Sequence, residues 1–203
     1  MKRYDALMGL AGLVTEDDLV VTSIGWIKNE WYSLMPSDGS MFTSLLGCAT
    51  PFSLGLALAL PHRHVYAIDA DGSMLFNPGA LCTIANELPP NLTIVVMDNE
   101  EYEGAAGHRT QTAGNVDLER LAAGAGIPHT ATARDVEHLV DVTAKMVADR
   151  EPGLVVAKID PGSFMDFPPG RTKLSDGFED KYRFIRHIER IEKISIRPPY
   201  VRE

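Results

Sequence analysis

Two polar residues follow two apolar runs of the chain at an interval that suits a shared metal site. Asp71 comes just after the run that ends at Asp69, and Asn99 follows the run Leu92–Met97, 28 residues beyond Asp71. This interval fits one strand–helix–strand unit. In neighbouring parallel strands, a carboxylate and an amide oxygen at these positions face a common point at the carboxyl edge. Such oxygen ligands, completed by phosphate and water, suit Mg²⁺.

Gly72 and Ser73 add groups that suit a phosphate. Gly72 has no side chain, so the backbone can approach a phosphate closely. The hydroxyl and amide of Ser73 can donate hydrogen bonds to it. Open α/β sheets bind ligands at the carboxyl ends of their strands, so we predict a metal and diphosphate site around Asp71.

Composition limits the classes of function. The chain has 203 residues, 45% hydrophobic and 23% charged, which suffices for one compact α/β domain with an appended arm. A net charge of -9 argues against a nucleic-acid partner. The start of the chain has no apolar signal core, and no apolar run approaches the roughly 20 residues that span a membrane. We therefore expect a soluble, cytoplasmic protein with no membrane partner, and we expect Cys48 and Cys82 to be buried core thiols.

Short β-branched runs alternate with helical patterns, which is typical of parallel strands joined by helical crossovers. The predicted fold class is α/β, a doubly wound and mostly parallel sheet with helices on both faces. Capping side chains at Thr50, Asn77 and Asp117 mark helix starts, and a further helix is predicted from about Arg134 to Arg150. The predicted strands are Leu19–Ile24, His64–Asp69, Leu92–Met97, His129–Ala131 and Gly153–Ile159.

The chain divides by composition near Asp160. Residues 1–160 form the predicted binding domain. Residues 161–203 begin with a stretch rich in proline and glycine and continue into a short amphipathic pattern at FIRHIERIEKI. We interpret them as an arm that packs either on its own domain or on a partner subunit.

The motif D-G-S, followed about 28 residues later by D-N, resembles the thiamine-diphosphate signature of the decarboxylase and acetolactate-synthase superfamily. That signature usually reads GDGS and NN, so Ala70 and Asp98 are departures. The resemblance implies thiamine diphosphate and Mg²⁺ as cofactors, with the diphosphate-binding domain of the thiamine-diphosphate-binding fold. It also implies that Asp71, the Asn99 side chain and the backbone carbonyl of Glu101 bind the metal.

A second segment, SLLGCATPFSLGLALAL, resembles the glycine-containing segment that supports the cofactor in this superfamily. By position, Leu46 would be the apolar wedge beneath the bent cofactor, and the Ser44 carbonyl would accept a hydrogen bond from the aminopyrimidine. Gly47 would give clearance beside them.

A third segment, DNEEYEGAAGHRTQTAGNVDLE, resembles the sulfopyruvate and phosphonopyruvate decarboxylases. It places Tyr102 among the cofactor-binding residues, and the side chains of its glutamates are expected to point away from the phosphates. His108 and Arg109 lie in the same segment and are candidates for acid–base work and for contact with a substrate anion. The implied reaction is decarboxylation of a short 2-oxo acid.

The superfamily binds its cofactor between two domains, and a glutamate of the other domain activates the pyrimidine ring. This chain has no room for that domain, so the resemblance implies a pyrimidine-binding α subunit as partner in an α2β2 or larger hetero-oligomer. An apolar face around Leu45, Leu46 and Phe52 is expected to meet it.

Three alternatives remain open at this point. IDADGS also fits the nucleophile motif of haloacid-dehalogenase-type phosphatases, with Asp69 as nucleophile and Asp71 as acid/base. The chain could instead be the β subunit of a 2-oxo-acid oxidoreductase or of an acetolactate-synthase-like enzyme. Finally, it could be a non-catalytic subunit that binds the cofactor and regulates a partner.

Overall fold

Six parallel strands form the central sheet of the computed structural model, which describes residues 1–162 and 177–196. Along the sheet the strands follow the order β2-β1-β3-β4-β8-β7. A separate two-stranded antiparallel hairpin, β5-β6, follows β4 in the chain. The strands are β1 (Leu19–Thr22), β2 (Ser40–Phe42), β3 (Val65–Ala70), β4 (Leu92–Asp98), β5 (Glu101–Tyr102), β6 (His108–Arg109), β7 (His129–Ala133) and β8 (Gly153–Lys158).

Helices connect these strands and cover both faces of the sheet. They are α1 (Arg3–Ala11), α2 (Trp26–Leu34), α3 (Ala49–Ala59), α4 (Asp71–Met74), α5 (Ala80–Glu87), α6 (Leu118–Ala125), α7 (Val136–Asp149) and α8 (Gly177–Glu192).

Alternate residues of the central strands enter two separate hydrophobic cores. In β3, Val65 and Ala67 face one core, and Tyr66 and Ile68 face the other. The first core is completed by α3, α5, α6 and α8, and the second by α1, α2 and α7. Because both faces are covered, the central strands β1, β3, β4 and β8 are buried along nearly their whole length and are mostly apolar. The predicted doubly wound α/β class is confirmed.

All five predicted strands are present, with ends shifted by one or two residues. The sequence did not reveal β2, because Ser40–Phe42 is only three residues long and follows a turn-rich stretch. Its position at the edge of the sheet is set by parallel pairing with β1. The helices α1 and α2 were also missed.

Two of the three predicted capping side chains do not cap. The Asp117 carboxylate accepts a hydrogen bond from the Arg120 amide and caps α6 as predicted. By contrast, α3 begins at Ala49, so Thr50 lies inside it, and α5 begins at Ala80 after Gly79. The Asn77 side chain instead donates to the Gly47 carbonyl at 3.3 Å.

Helix α8 contains the predicted amphipathic pattern and extends it toward the amino end. It packs on the edge strand β2, and Phe184 and Ile188 enter the first core. The Arg183 guanidinium donates to the Tyr32 hydroxyl at 3.2 Å. The proline- and glycine-rich stretch lies mostly outside the described residues, and the division at residue 160 remains a prediction.

The expectation of two buried thiols was wrong. Cys48 is half-buried and Cys82 is exposed, and both are free. Cys82 lies on the outer side of α5, whose inward positions are taken by Leu81 and Ile84. Within residues 1–162 and 177–196, no helix combines the length and apolarity needed to cross a membrane. The cytoplasmic location remains a prediction.

A buried ion pair fastens α1 to α2. The Arg3 guanidinium binds both carboxylate oxygens of Glu30, at 3.0 and 3.1 Å, and neither side chain is more than 3% exposed. Arg3 also donates to the Glu103 carboxylate at 2.6 Å, in the segment that follows β5. Such bidentate geometry compensates for the desolvation of both charges.

Replacing Arg3→Ala is expected to lower the free energy of unfolding by about 3 to 5 kcal/mol, because it removes the cation that neutralises the buried Glu30 carboxylate. Urea denaturation followed by circular dichroism measures this. The adjacent exposed residue provides the control, and Lys2→Ala should change stability by less than about 0.5 kcal/mol. A loss below about 1 kcal/mol for Arg3→Ala would contradict the structural role of the pair.

Candidate functional site

A cavity of about 310 Å³ opens at the carboxyl edge of the sheet. Its walls come from the residues that follow β1, β3, β4 and β8. The chain leaves β1 toward β2 on one side, whereas β3 pairs with β1 on the other. The crevice therefore lies where the strand order reverses, which is the usual ligand position in open α/β sheets.

Asp71 lies in this cavity as the first residue of α4, directly after β3. One carboxylate oxygen, Oδ2, accepts hydrogen bonds from the hydroxyls of Thr110 at 2.6 Å and Thr112 at 3.0 Å. The other oxygen, Oδ1, is buried and has no hydrogen-bond partner. A buried acceptor without a donor is costly, and a cation bound at Oδ1 would remove that cost.

The electrostatics of Asp71 agree with this geometry. Burial, together with the neighbouring Asp98 carboxylate, raises the pKa of Asp71 to about 6 despite the hydrogen bonds that it accepts. The negative charge of Asp71 is thus poorly compensated by the described residues. A divalent ion at Oδ1 would supply that compensation.

Asn99 and Glu101 line the same cavity as Asp71. β3 and β4 are paired neighbours, as the spacing predicted, and Asn99 directly follows β4. The Asn99 side-chain oxygen accepts from the Glu101 amide at 3.2 Å, which fixes a turn between them. The structure therefore brings together the three residues predicted to hold the metal.

Close packing explains the glycine at position 72. A Cβ atom on Gly72 would lie 2.3 Å from the Tyr102 ring, so any larger residue would displace that ring. Tyr102 also lines the cavity and meets the Phe76 ring edge-on at 6.3 Å. Gly72 thus makes room for a side chain of the cavity wall in addition to any phosphate.

The Ser73 hydroxyl has partners within the protein. The Ser73 hydroxyl oxygen accepts a hydrogen bond from the Gly47 amide at 3.0 Å. Burial raises the pKa of Asp69, and a hydrogen bond between Ser73 and Asp69 lowers that pKa by a smaller amount. Ser73 therefore ties the residue 44–47 loop to β3. Donation to a phosphate is left to its backbone amide.

The residue 44–47 loop contributes one side chain to the cavity. Leu46 lines it, whereas Ser44 is exposed and is not among its lining residues. Gly47 has a φ of +76°, which favours glycine, and a Cβ there would meet Phe76 and Asn77 at 3.1 Å. The loop thus adds an apolar side chain to the cavity that Asp71 also lines, and the role of Leu46 beneath the cofactor remains a prediction.

His108 and Arg109 lie outside the cavity lining. Both are exposed on β6, and the Arg109 guanidinium donates to the Ala113 carbonyl at 2.6 Å. Their hairpin partners on β5, Tyr102 and Glu101, do line the cavity. The catalytic roles suggested for His108 and Arg109 remain predictions.

Asp69, the nucleophile of the phosphatase alternative, is inaccessible. It is fully buried, its Oδ2 accepts from the Thr50 hydroxyl at 2.8 Å, and its Oδ1 accepts from the Ala70 amide at 2.9 Å. A nucleophile must reach its substrate, so this geometry argues against phosphoester chemistry at Asp69.

A further wall of the cavity was not predicted from the sequence. Ile24, Gly25, Trp26 and Ile27 line it where β1 passes into α2. Gly25 precedes the helix with a φ of +105°, and the helix has no side-chain cap. The first backbone N–H groups of α2 therefore have no capping side chain, and the start of this helix lines the same cavity as Asp71. A glycine between an apolar strand and a helix was the available signal.

Comparison with known proteins identifies the family. Residues 26–157 match the family model of the thiamine pyrophosphate enzyme, C-terminal TPP binding domain. The chain is 30% identical over 194 residues to the sulfopyruvate decarboxylase subunit beta of Methanocaldococcus jannaschii, covering 93% of this chain and 98% of that one.

Longer relatives match over part of their length. Identity is 34% over 165 residues with the sulfopyruvate decarboxylase of Methanosarcina acetivorans, covering 80% of this chain and 42% of the relative. The phosphonopyruvate decarboxylase of Streptomyces viridochromogenes is also 34% identical, over 162 residues, and the match covers 79% of this chain and 40% of the relative. The chain therefore spans less than half the length of these two proteins.

Solved structures support the fold. A 4-hydroxybenzoylformate decarboxylase of Rhodococcus jostii, described as thiamine diphosphate-dependent, superimposes with a TM-score of 0.72 at 19% identity, covering 80% of this chain and 33% of that one. A putative thiamin diphosphate-dependent enzyme from Mycobacterium smegmatis gives a TM-score of 0.68 at 22% identity, covering 80% and 32%. The predicted resemblance is confirmed: the chain belongs to the thiamine pyrophosphate enzyme family and carries its C-terminal TPP-binding domain.

Proposed function

We propose that this chain is the magnesium- and diphosphate-binding subunit of a thiamine-diphosphate-dependent decarboxylase of a short 2-oxo acid. The observation that carries the proposal is the buried, unpartnered Oδ1 of Asp71, which lines the same cavity as Asn99. A hard cation with oxygen ligands suits this position. Relatives named as decarboxylases support the reaction class.

In this proposal the chain's own groups hold the cofactor. Asp71 Oδ1, the Asn99 side-chain oxygen and the Glu101 carbonyl bind Mg²⁺. The diphosphate accepts hydrogen bonds from the Ser73 amide and the first amides of α2. Leu46 supports the cofactor from below and excludes water. The bound cofactor supplies the carbon that adds to the oxo group and accepts the electrons released with carbon dioxide.

The surface beside the cavity supports the proposal of a partner subunit. Four exposed hydrophobic residues, Leu45, Leu46, Phe52 and Phe76, form what we call the apolar rim. Leu45 is 68% exposed and Phe76 is 63% exposed. Residues 44–47 lead directly into the first turn of α3, which contains Phe52, and Gly47 lies against Phe76. A contiguous exposed apolar surface is typical of an interaction site.

The occupant proposed for the apolar rim is a pyrimidine-binding α subunit in an α2β2 or larger assembly. The rim is continuous with the cavity through Leu46, which belongs to both, so its cover would also close over the cofactor. The relatives support the proposal in two ways. One is named as a subunit beta of nearly equal length, and two named without a subunit are more than twice as long as the region they share with this chain.

The Asp71→Ala variant is expected to weaken magnesium-dependent binding of thiamine diphosphate by roughly 100-fold or more, because it removes the charged ligand from the site. The fold should persist, since the change removes a buried carboxylate. Isothermal titration calorimetry of the full chain with cofactor and Mg²⁺ measures the affinity. Asp141→Ala, at an exposed position of α7, is the control, and equal affinities for the two variants would remove Asp71 from the site.

The full chain by itself is expected to release no carbon dioxide from 2-oxo acids, because it provides residues for only one end of the cofactor. Activity should appear when the α subunit is added. Co-purification from the native source, followed by a decarboxylase assay of the separated and recombined subunits, measures this. Robust turnover by the chain alone would contradict the two-subunit proposal.

The apolar rim provides a second test of the partner. Leu45→Asp should raise the dissociation constant of the two subunits by at least roughly tenfold, because it places a charge in a desolvated contact. Met8→Asp is a matched control at an exposed apolar position of α1, on the opposite face of the sheet. Equal effects of the two variants would show that the partner does not bind the rim.

The proposed substrates are short 2-oxo acids with a second anionic group, as the names of the relatives suggest. Arg3, the single basic side chain among the described residues that line the cavity, is already neutralised by Glu30 and Glu103. Among the described residues we propose Arg109, on the adjacent hairpin, for the contact with the second anionic group, and the partner subunit is the alternative. Arg109→Ala should raise the KM for sulfopyruvate or phosphonopyruvate about 10-fold and leave that for pyruvate unchanged.

Carbon dioxide release by the assembled enzyme from sulfopyruvate, phosphonopyruvate and pyruvate measures these KM values. Arg120→Ala, at an exposed position, is the control. Unchanged kinetics in Arg109→Ala would assign the anion contact to the partner subunit.

A further inference from the structure

An ion pair joins the ends of β4 and β8 close to the proposed metal site. The Lys158 ammonium contacts Asp98 Oδ2 at 2.7 Å and Glu100 Oε1 at 3.1 Å. The sheet sets this pairing, because Asp98 and Lys158 are register partners at the ends of β4 and β8. Asp98 is 2% exposed, so its charge needs a nearby cation. Burial alone would lower the pKa of Lys158, but Asp98 and Glu100 together raise it, so the ammonium stays charged.

Hydrogen bonds connect this ion pair to Asp71. Thr112 Oγ1 lies 2.8 Å from Asp98 Oδ1 and 3.0 Å from Asp71 Oδ2. Thr110 Oγ1 lies 2.6 Å from the same Asp71 oxygen and 2.8 Å from Thr112 Oγ1. The hydroxyls of Thr110 and Thr112 therefore have two protons to donate to two buried carboxylates. The direction in which Thr112 donates depends on the position of Asp98.

The ion pair also fixes the turn that carries the other candidate ligands. Asp98 Oδ1 accepts from the Glu100 amide at 3.2 Å, and the Glu100 carbonyl accepts from the Thr110 amide at 2.9 Å. Glu100 has a φ of +64°, a conformation that a non-glycine residue adopts only when its surroundings impose it. Lys158 contacts both Asp98 and Glu100, so one ammonium holds both ends of the turn.

We propose that Lys158 is a positioning residue for the metal site. By neutralising and orienting Asp98, it keeps the Thr110 and Thr112 hydroxyls on Asp71 Oδ2 and leaves Asp71 Oδ1 open to the cation. This inference rests on the proposed function. The ion pair does not line the cavity, so its effect on the metal site would pass through Asp98 and the two threonines.

Lys158 also affects the site through its charge, independently of any effect on the orientation of Asp98. Without Lys158, the buried Asp98 and Asp71 carboxylates would be linked through one hydroxyl, with no basic side chain of residues 1–162 and 177–196 in contact with either carboxylate. Like charges so placed repel, and the added negative charge would also oppose the diphosphate. With Lys158 in place, the excess negative charge is confined to Asp71, where magnesium is proposed to bind.

The test is calorimetric titration of the full chain with thiamine diphosphate and Mg²⁺. Lys158→Met should weaken binding by roughly 10- to 100-fold, as expected when a partner of a metal ligand is lost. Lys158→Arg keeps the charge and should bind within about threefold of the unchanged chain. Lys145→Met removes an exposed lysine that pairs with Asp149 and should have no effect.

The double variant Lys158→Met/Asp98→Asn separates positioning from stability. It contains no uncompensated carboxylate at position 98, and the amide oxygen can still accept from Thr112. We therefore expect affinity to return to within about threefold of the unchanged chain. A merely structural ion pair would lower the melting temperature of the single variant and leave cofactor affinity in the folded protein unchanged.

Unchanged affinity in Lys158→Met, or a double variant no better than the single one, would overturn the inference. If Lys158→Met does not fold, Thr112→Val tests the same chain of contacts with the ion pair intact, and it should weaken binding by about tenfold. Failure of the unchanged chain to bind the cofactor refutes the proposed function and this inference together. Normal binding in all variants refutes this inference alone.

Discussion

The arrangement of this protein depends on a single buried carboxylate at the end of β3. Burying Asp71 costs free energy that its hydrogen bonds only partly recover. Thr110 and Thr112 satisfy one of its oxygens, and the other is buried without a hydrogen-bond partner in a residue that lines the cavity. The pKa of Asp71 is raised to about 6, which reflects the same imbalance. The fold thus holds a charge in a place where a cation would relieve it.

The parallel sheet is what allows so few residues to meet at this point. Strands that run in one direction bring their carboxyl ends to one edge, so residues far apart in the chain become neighbours. β3 delivers Asp71, β4 delivers Asn99, and β1 delivers the start of α2. Helices on both faces make the sheet rigid, which fixes these positions relative to one another.

The segment after β4 combines several roles in a short length. Asn99 and Glu101 face the cavity, Glu103 forms an ion pair with Arg3 of α1, and the hairpin returns Thr110 to Asp71. Two of the three glutamates of this segment therefore form ion pairs with basic side chains. Glu100 contacts Lys158, and Glu103 contacts Arg3, at opposite ends of the segment.

The sequence by itself determined the fold class, five strands of the sheet and the position of Asp71 and Asn99 after two neighbouring strands. These features rest on local patterns, since apolar runs and the spacing of polar residues after them are written in the chain. The assignment to the thiamine pyrophosphate enzymes also followed from short motifs. Such information suffices where the physical cause lies within one strand–helix–strand unit.

Only the tertiary structure decided which groups surround Asp71. Thr112 and Lys158 reach the site through strand register and a returning hairpin, and α2 reaches it because β1 is the neighbour of β3. It also decided that Ser44 and Arg109 lie outside the cavity lining, and that Cys82 is exposed. These contacts join residues distant in sequence, and their geometry depends on how whole elements pack, which no local pattern records.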